Sequence, residues 1–270
     1  MALKRVTQEE MCKLIEWIRE FVRKTNMKGI VIALSGGADS ALVAALCVKA
    51  LGNDRVCAIN IPIESSASAQ SDAELVAKWL NICLLNLPLD NTFHAFERDS
   101  QSDDFYKDLS AKKMAILLGN VKARLRTTLA RLWAEALYCL FVNTCNWSET
   151  IVGYDTKGGG DADGDFGPLQ QFVKGEVFQM LEWLGAPQWL LDKVPSADLE
   201  PGQSDEADLK MTYKVLDTIA SVFATDGMDG VNASDISPND CKRFIELYMQ
   251  SLHKRGGMPV FQREGFVYKE

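Results

Sequence analysis

Residues 29–40 read GIVIALSGGADS, and this stretch decides the fold. Its first six residues are an unbroken apolar run rich in β-branched side chains, which is typical of a strand covered on both faces in a parallel sheet. Two adjacent glycines then allow the backbone to turn sharply, and a helical pattern of apolar residues starts at Ala41. The stretch therefore predicts a buried strand, a glycine-rich turn and a helix, in that order.

The same alternation of apolar runs and helical stretches continues along the chain. After the helix at 41–51, a strand, a helix and a strand are predicted at 56–61, 69–80 and 82–87. A long helical region at 110–138 ends at a short strand candidate, 140–143. Because parallel strands joined by helices require right-handed crossovers, we expect an α/β fold in which a doubly wound parallel sheet is flanked by helices.

The remaining sequence is mostly helical and contains no repeat or linker that would divide it. Thr7 and Glu10 form a capping-box pattern in front of a first amphipathic helix. Further helical segments are predicted at 172–184, 213–223 and 239–253. We therefore expect residues 1–270 to form a single domain.

Composition and charge exclude several classes of protein. With 270 residues and 47% hydrophobic content, the chain can bury a large core, and its net charge of -8 opposes binding to nucleic acid. The seven cysteines are scattered, odd in number and without a C-x-x-C pair, which argues against a zinc site or a disulfide framework. No secretion signal or membrane-length apolar run is present, so we expect a cytoplasmic protein without a membrane partner.

The glycine-rich turn has the composition of an anion site. Backbone N–H groups near the glycines and the start of the following helix can bind phosphate, and Ser35 and Ser40 can add hydroxyl donors. Asp39 would repel a bare phosphate, so its presence predicts a divalent cation between them. An alternative is a Gly-Gly turn with a Ser or Asp helix cap, which needs no ligand. The absence of G-x-x-x-x-G-K-[ST] and of G-x-G-x-x-G excludes a Walker loop and disfavours a Rossmann dinucleotide site.

The string LSGGADS at 34–40 resembles the S-G-G-x-D-S loop of the N-type ATP pyrophosphatases, which have an adenine nucleotide alpha hydrolase-like fold and split ATP into AMP and pyrophosphate. Four further segments resemble the NAD synthetase family. They are GNVKARLR at 119–126, NTCNWSE at 143–149, VPSADLEPGQSDE at 194–206, and LHKR at 252–255 with Pro259. These matches follow the family order over nearly the whole chain.

The resemblance implies a set of ATP and metal contacts. The ATP-binding residues would be Ser35, Gly36, Gly37, Ala38, Asp39, Ser40, Thr144, Lys174 and Ser196. Asp39 and Glu149 would be the ligands of magnesium. Alone, Lys174 would pass for a surface lysine with a buried stem. Only the joint pattern favours a catalytic role for it.

The resemblance also implies a binding site for deamido-NAD. Its residues would be Arg124, Lys157, Asp165, His253 and Lys254. Without the resemblance, Arg124 would be interpreted as a charge on a solvent-exposed helix face. His253 would be interpreted as a residue that complements the dipole at a helix end.

Two departures from the family pattern affect these assignments. The Gly- and Asp-rich loop at 153–167 is longer than most ordered loops, and its acidic part is one residue longer than in the family. Asp161, Asp163 and Asp165 are therefore all candidates for the acidic residue with which the family binds its substrate. Counting back from Lys174 selects Asp165. Asn143 also replaces a family glycine.

The reaction implied by the resemblance is ATP-dependent amidation of deamido-NAD by ammonia, giving NAD, AMP and pyrophosphate through an NAD-adenylate. Asp39, Lys174 and Asp165 would be catalytic, Mg²⁺ the cofactor, ATP the co-substrate, and the enzyme a homodimer. Because the motifs fill the chain from about residue 30 to 260, little sequence remains for a glutaminase domain. The alternatives are another N-type ATP pyrophosphatase, such as a tRNA-modifying enzyme, or a non-catalytic nucleotide-binding module.

Overall fold

The computed structural model describes residues 5–65, 67–100, 109–196 and 204–256. Parts of two sequence motifs, residues 197–203 and Pro259, lie outside these ranges. In the described part, four parallel strands form one sheet in the order β3-β2-β1-β4. The strands are β1 (Ile30–Ala33), β2 (Val56–Asn60), β3 (Cys83–Asn86) and β4 (Leu140–Phe141).

Eleven α-helices of the described ranges surround this sheet or extend from it. They are α1 (Gln8–Thr25), α2 (Ala38–Leu51), α3 (Ala67–Leu80), α4 (Asp90–Ser100), α5 (Ala111–Leu137), α6 (Trp147–Val152), α7 (Lys174–Trp183), α8 (Gln188–Leu191), α9 (Asp205–Leu209), α10 (Tyr213–Ala233) and α11 (Pro238–Gln250). None of them combines the length and the apolar character that crossing a membrane requires.

Strand β1 is buried on both faces, as its apolar run predicts. Ile30 and Ile32 pack into the cluster that includes α1, α2 and α7, whereas Val31 packs with Ala130 and Ala134 of α5 on the opposite face. Alternate side chains of a strand point to opposite faces, so an unbroken apolar run is what a doubly covered strand requires. The α/β fold with a doubly wound parallel sheet is confirmed.

A second packing region lies beyond the sheet. Leu216, Ile219 and Phe244 of α10 and α11 form a separate buried cluster with Ile151 and Val152 of α6. This helical region contacts α7 as well. Helices α6 and α7 therefore pack against the carboxy-terminal helices α10 and α11.

Element boundaries differ from the sequence expectations in a few places. Helix α2 starts at Ala38 because Gly37 is its N-cap, so the end of the glycine-rich turn is already the first helical turn. Strand β4 is shorter than the apolar run 140–143, because Val142 and Asn143 pair with Phe166 outside the sheet. The capping box of Thr7 and Glu10 is confirmed at the start of α1.

Candidate active site

The strand order reverses between β1 and β4, which is where an open parallel sheet forms a crevice at the carboxyl ends of its strands. A cavity of about 880 Å³ lies at this edge. It is lined by residues that end or follow β1, β2 and β4, including Ser35, Ile61 and Thr144. Its size is typical of a site for a small molecule or cofactor.

The glycine turn, residues 35–40, forms one wall of the cavity. Gly36 has φ +75°, and a Cβ at this position would lie 2.7 Å from backbone atoms of Asp72, so only glycine fits. Ser35 Oγ and Ser40 Oγ are 3.1 Å apart, and Ser40 Oγ donates to the Gly37 carbonyl. No side chain caps α2. The reading of this turn as a Ser or Asp helix cap is therefore wrong, and the first N–H groups of α2 have no side-chain cap.

Three charged side chains meet beside the glycine turn, and we call Asp39, Glu149 and Lys174 the Lys174 centre. Lys174 Nζ donates to Asp39 Oδ2 at 2.5 Å and to Glu149 Oε1 at 2.9 Å, and its side chain is 5% exposed. Asn146 Nδ2 donates to the other Asp39 oxygen at 2.8 Å. The segments after β1 and β4 meet here because these strands are neighbours in the sheet.

The charges of the Lys174 centre depend on one another. Burial and the Asp39 carboxylate raise the pKa of Glu149 to about 7. Burial alone would lower the pKa of Lys174. The Asp39 and Glu149 carboxylates raise this pKa by more than burial lowers it, so the ammonium stays charged. Two carboxylates around one ammonium leave excess negative charge in a buried place, which another cation would neutralise.

The Lys174 centre lacks the ligands of a complete metal site. Across the described ranges, no three His, Cys, Asp or Glu side chains are grouped to hold a metal ion. A divalent cation bound to Asp39 and Glu149 would therefore need further oxygen ligands from a substrate or from water, which is the usual situation for magnesium.

A buried acid from α10 fixes the start of α7. Asp217 is 1% exposed and accepts hydrogen bonds from Ser148 Oγ at 2.6 Å and from the Gly175 N–H at 2.7 Å. Ser148 Oγ in turn accepts from the Lys174 N–H at 3.1 Å. Asp217 thereby orients the helix turn that carries Lys174.

Tyr213 also contacts the centre, one helical turn before Asp217. Its hydroxyl donates to Asp205 at 3.0 Å and lies 3.3 Å from Glu149, and Lys174 Nζ lies 5.0 Å from the centre of its ring. The sequence analysis missed both Tyr213 and Asp217. Their spacing places them on one face of a helix, but an amphipathic face is normally read as core.

Comparison with known proteins identifies the family of this chain. The family model described as NAD synthase matches residues 10–258. The chain belongs to the NAD synthase family. An NH3-dependent NAD+ synthetase of Methanosarcina mazei is 35% identical to it, over 92% of this chain and 95% of the relative.

Solved structures of the NAD synthase family have the same architecture. An NMN synthetase from Francisella tularensis has a TM-score of 0.80 at 28% identity, covering 97% of this chain and all of the other. An NH3-dependent NAD synthetase from Campylobacter jejuni has a TM-score of 0.76 at 25% identity, covering 95% and 98%. The chain is thus similar to family members over its whole length.

The acidic loop departs from the family pattern, and its aspartates lie at different positions relative to the cavity. Asp161 lines the cavity and is exposed to it, and the surrounding protein groups together with the Asp39 carboxylate raise the pKa of its carboxyl group. Asp165 is not among the lining residues: its carboxylate accepts from the Phe141 N–H at 2.8 Å and from Arg131 at 3.1 Å. Counting residues assumes a fixed loop shape, whereas a 3-10 turn at Gly160–Ala162 brings the earlier aspartate inward.

Asn143, the other departure from the NAD synthase pattern, fits its position. It is buried, its N–H donates to the Phe166 carbonyl at 2.9 Å, and its Oδ1 accepts from the Cys145 N–H at 2.9 Å. The next residue, Thr144, lines the cavity, and its N–H donates to the Asp161 carbonyl at 3.0 Å. The substitution therefore adds hydrogen bonds that a glycine side chain cannot make.

The five residues implied for deamido-NAD separate into groups. Asp165 lies away from the cavity, as described above, and Lys254 lines it, with Nζ donating to the Gly153 carbonyl at 2.7 Å. The other three, Arg124, Lys157 and His253, are exposed and are not lining residues.

These three side chains form a connected row, and we call them the rim residues. Arg124 Nη2 donates to the Lys157 carbonyl at 3.1 Å, and Lys157 Nζ donates to the His253 carbonyl. Each is the chain neighbour of a lining residue, namely Ala123, Thr156 or Lys254. The rim residues therefore lie at the edge of the cavity.

A further lysine of the cavity was not singled out from the sequence. Lys193 Nζ donates to the Gly36 carbonyl at 3.0 Å and to Asp72 at 2.6 Å, which ties the segment before Ser196 to the glycine turn. Ser196 also lines the cavity. All residues implied for ATP except Gly36 therefore line one cavity. Beyond the glycine turn, they are Thr144, Lys174 and Ser196.

Proposed function

We propose that the protein amidates the nicotinate carboxylate of deamido-NAD with ammonia and ATP, giving NAD, AMP and pyrophosphate through an NAD-adenylate. The observation that carries this proposal is the Lys174 centre, which lies beside the glycine turn in one cavity. Membership of the NAD synthase family and the similarity to an NH3-dependent NAD+ synthetase along most of both chains support the same reaction. The protein is accordingly an AMP-forming ligase with ATP as co-substrate.

The first step has to make the carboxylate reactive, because oxide is a very poor leaving group. The carboxylate attacks the α-phosphorus of ATP, and pyrophosphate leaves. The backbone donors of the glycine turn, with the hydroxyls of Ser35 and Ser40, bind the phosphates, and the Lys174 ammonium stabilises their growing charge. We assign Thr144 and Ser196 to ATP as well, because both line the same cavity.

The Lys174 centre also fits a magnesium ion. Asp39 and Glu149 both contact one nitrogen, at 2.5 and 2.9 Å, so two carboxylate oxygens converge on one point. Magnesium in nucleotide enzymes typically takes one or two carboxylates together with substrate phosphates. When bound, it would neutralise charge on the departing pyrophosphate. We therefore assign Asp39 and Glu149 as its ligands.

In the second step ammonia attacks the acyl carbon, the C–N bond forms, the C–O bond to AMP breaks, and the nitrogen gives up one proton to a carboxylate of the cavity. We reassign to Asp161 the role that counting gave to Asp165, because Asp161 lines the cavity. Lys254 and the rim residues would bind the negatively charged phosphates of deamido-NAD at the cavity edge.

A mononucleotide is the second candidate substrate. The solved structure with the TM-score of 0.80 is an NMN synthetase, and all of that chain is covered. Amidation of nicotinate mononucleotide would use the same glycine turn and Lys174 centre, since the reacting carboxylate is the same. The two substrates differ only in the adenylate half that the cavity edge would have to bind.

We also propose a single domain over residues 1–270, a homodimer, and a cytoplasmic location without nucleic-acid or membrane partners. The single domain is supported by the packing of α10 against both α6 and α7, which joins the carboxy-terminal helices to the sheet. Sedimentation of the purified protein would test the dimer.

The test of the proposed reaction is an assay of purified protein with ATP, magnesium and each nucleotide substrate. Deamido-NAD and ammonium chloride should give stoichiometric NAD, AMP and pyrophosphate, and glutamine freed of ammonium should give almost none. Asp39→Asn should abolish the reaction, whereas Asp54→Asn, an exposed acid near the far end of α2, should not. Release of pyrophosphate without any nicotinate nucleotide would contradict the proposal, and faster turnover of the mononucleotide would select the second candidate.

A further inference from the structure

Asp205 contains a buried oxygen atom without a partner. The residue is 4% exposed and lines the cavity, and its Oδ2 accepts from the Tyr213 hydroxyl at 3.0 Å. Its Oδ1 is the one buried side-chain oxygen or nitrogen of the described residues that makes no hydrogen bond. Leaving such a group unpaired costs about 1–3 kcal/mol, and more when it is charged. We therefore expect a bound hydrogen-bond donor at this atom.

The surroundings of Asp205 are negative and aromatic. The Tyr213 hydroxyl lies between Asp205 and Glu149, and the Tyr154 hydroxyl donates to Asp208 at 2.9 Å. Burial raises the pKa of Asp205, whereas the Lys174 ammonium and the hydroxyls of Tyr213 and Tyr154 act in the opposite direction. None of the ion pairs formed within the described ranges includes Asp205. The nearest ammonium, Lys174, gives its hydrogen bonds to Asp39 and Glu149 instead.

These features define the ligand that would fit. A buried carboxylate oxygen beside two tyrosine hydroxyls suits a small cation with N–H donors, since carboxylates accept charge-assisted hydrogen bonds and hydroxyl oxygens can accept as well. Within the proposed reaction, the nitrogen substrate is such a cation, because ammonia in neutral water is mostly ammonium. We propose that Asp205, with Tyr154 and Tyr213, is the recruiting site for the ammonium ion.

This inference rests on the proposed function and extends it. The other carboxylates near the reaction centre already have donors: Asp39 accepts from Lys174 and Asn146, and Glu149 accepts from Lys174. Asp205 therefore has the free capacity that the others lack. Its link to Glu149 through a single tyrosine hydroxyl places the nitrogen beside the phosphate end of the cavity, where the adenylate would form.

Two half-reactions distinguish ammonium binding by Asp205 from a role in adenylation or metal binding. Pyrophosphate exchange into ATP that depends on deamido-NAD reports adenylation and needs no ammonia, whereas NAD formation needs it. For Asp205→Asn we expect exchange to stay within about twofold of wild type and the KM for ammonium to rise roughly ten- to hundred-fold, the loss expected for a charged hydrogen-bond partner. Asp229→Asn, an exposed acid of α10 that does not line the cavity, is the matched control and should leave this KM unchanged.

A second measurement uses the unaltered protein in case the variant folds poorly. Methylammonium should inhibit NAD formation in competition with ammonium and leave pyrophosphate exchange unaffected. The inference is overturned if the ammonium KM of Asp205→Asn is normal, if methylammonium does not compete, or if exchange and its magnesium dependence fall together with amidation. That last result would make Asp205 a metal or structural residue. Absence of exchange in wild type would instead overturn the proposed function, and this inference with it.

Discussion

The Lys174 centre and the rim residues are both charged, but they are held in different ways. In the centre, a lysine with 5% of its side chain exposed contacts two carboxylates. At the rim, exposed cations donate to backbone carbonyls, as Arg124 does to Lys157. Buried charges interact strongly and are costly to leave unpaired, whereas exposed ones are screened. From this difference we expect changes in the centre to affect chemistry and stability, and changes at the rim to affect substrate binding.

Removing the lysine should give the largest effect. Lys174→Met leaves two buried carboxylates without their cation, so we expect adenylation to fall at least about a thousandfold and the free energy of unfolding to fall by about 3–5 kcal/mol. Pyrophosphate exchange and urea denaturation measure the two quantities. Lys214→Met, an exposed lysine at the start of α10, is the control and should leave both near wild type.

A stable Lys174→Met protein with normal exchange would remove the distinction between the centre and the rim. Loss of exchange without loss of stability would mean that Glu149 takes up a proton in the variant, which its raised pKa of about 7 favours.

Much of this arrangement could be predicted from the sequence, for a physical reason that applies to particular elements. A strand covered on both faces requires an apolar run, and the sharp turn after it requires glycine. Both requirements act on local residue types, so the sequence shows them directly. The convergence of Asp39 and Glu149 depends on β1 and β4 being neighbours. Local pattern alone does not specify this neighbour relation, and the family resemblance supplied it.

The residues that were missed depend on tertiary contacts. Asp205, Tyr213 and Asp217 contact the site from α9 and α10, and their own sequence shows only helical segments with polar positions. The position of Asp165 outside the cavity lining has a similar origin, because the path of a glycine-rich loop is set by its contacts, here those with Arg131 and Phe141. Residue counting is reliable only where the backbone is regular.

Asp161 and Asp165 provide a test of intermediate size, because the first lines the cavity and the second does not. Asp161→Asn should lower kcat about a hundredfold, the scale of a lost proton-transfer or positioning group, with little change in stability. Asp165→Asn should keep kcat within about threefold and lower the free energy of unfolding by about 1 kcal/mol, because its partly exposed carboxylate binds Arg131 and the Phe141 N–H. Turnover and urea denaturation of both variants measure the contrast, and the reverse order of kcat values would restore Asp165 to the catalytic role.

The rim should give the smallest effect, and one confined to binding. Arg124 is exposed, donates to the Lys157 carbonyl, and has its Cγ within 2.8 Å of where a Gly159 Cβ would lie, so it holds the glycine-rich loop against α5. Arg124→Ala removes one cation from the path of a polyanionic substrate without uncovering a buried charge. We expect the KM for deamido-NAD to rise about tenfold, with kcat and stability nearly unchanged, because the lost interaction is made equally in the ground state and the transition state. Lys113→Ala, an exposed cation on the same helix, separates this local contact from a general change of charge and should leave the KM unchanged. The increase should shrink as salt is raised, since exposed charges are screened. A fall in kcat with unchanged KM would place Arg124 in the chemical step and contradict the division between centre and rim.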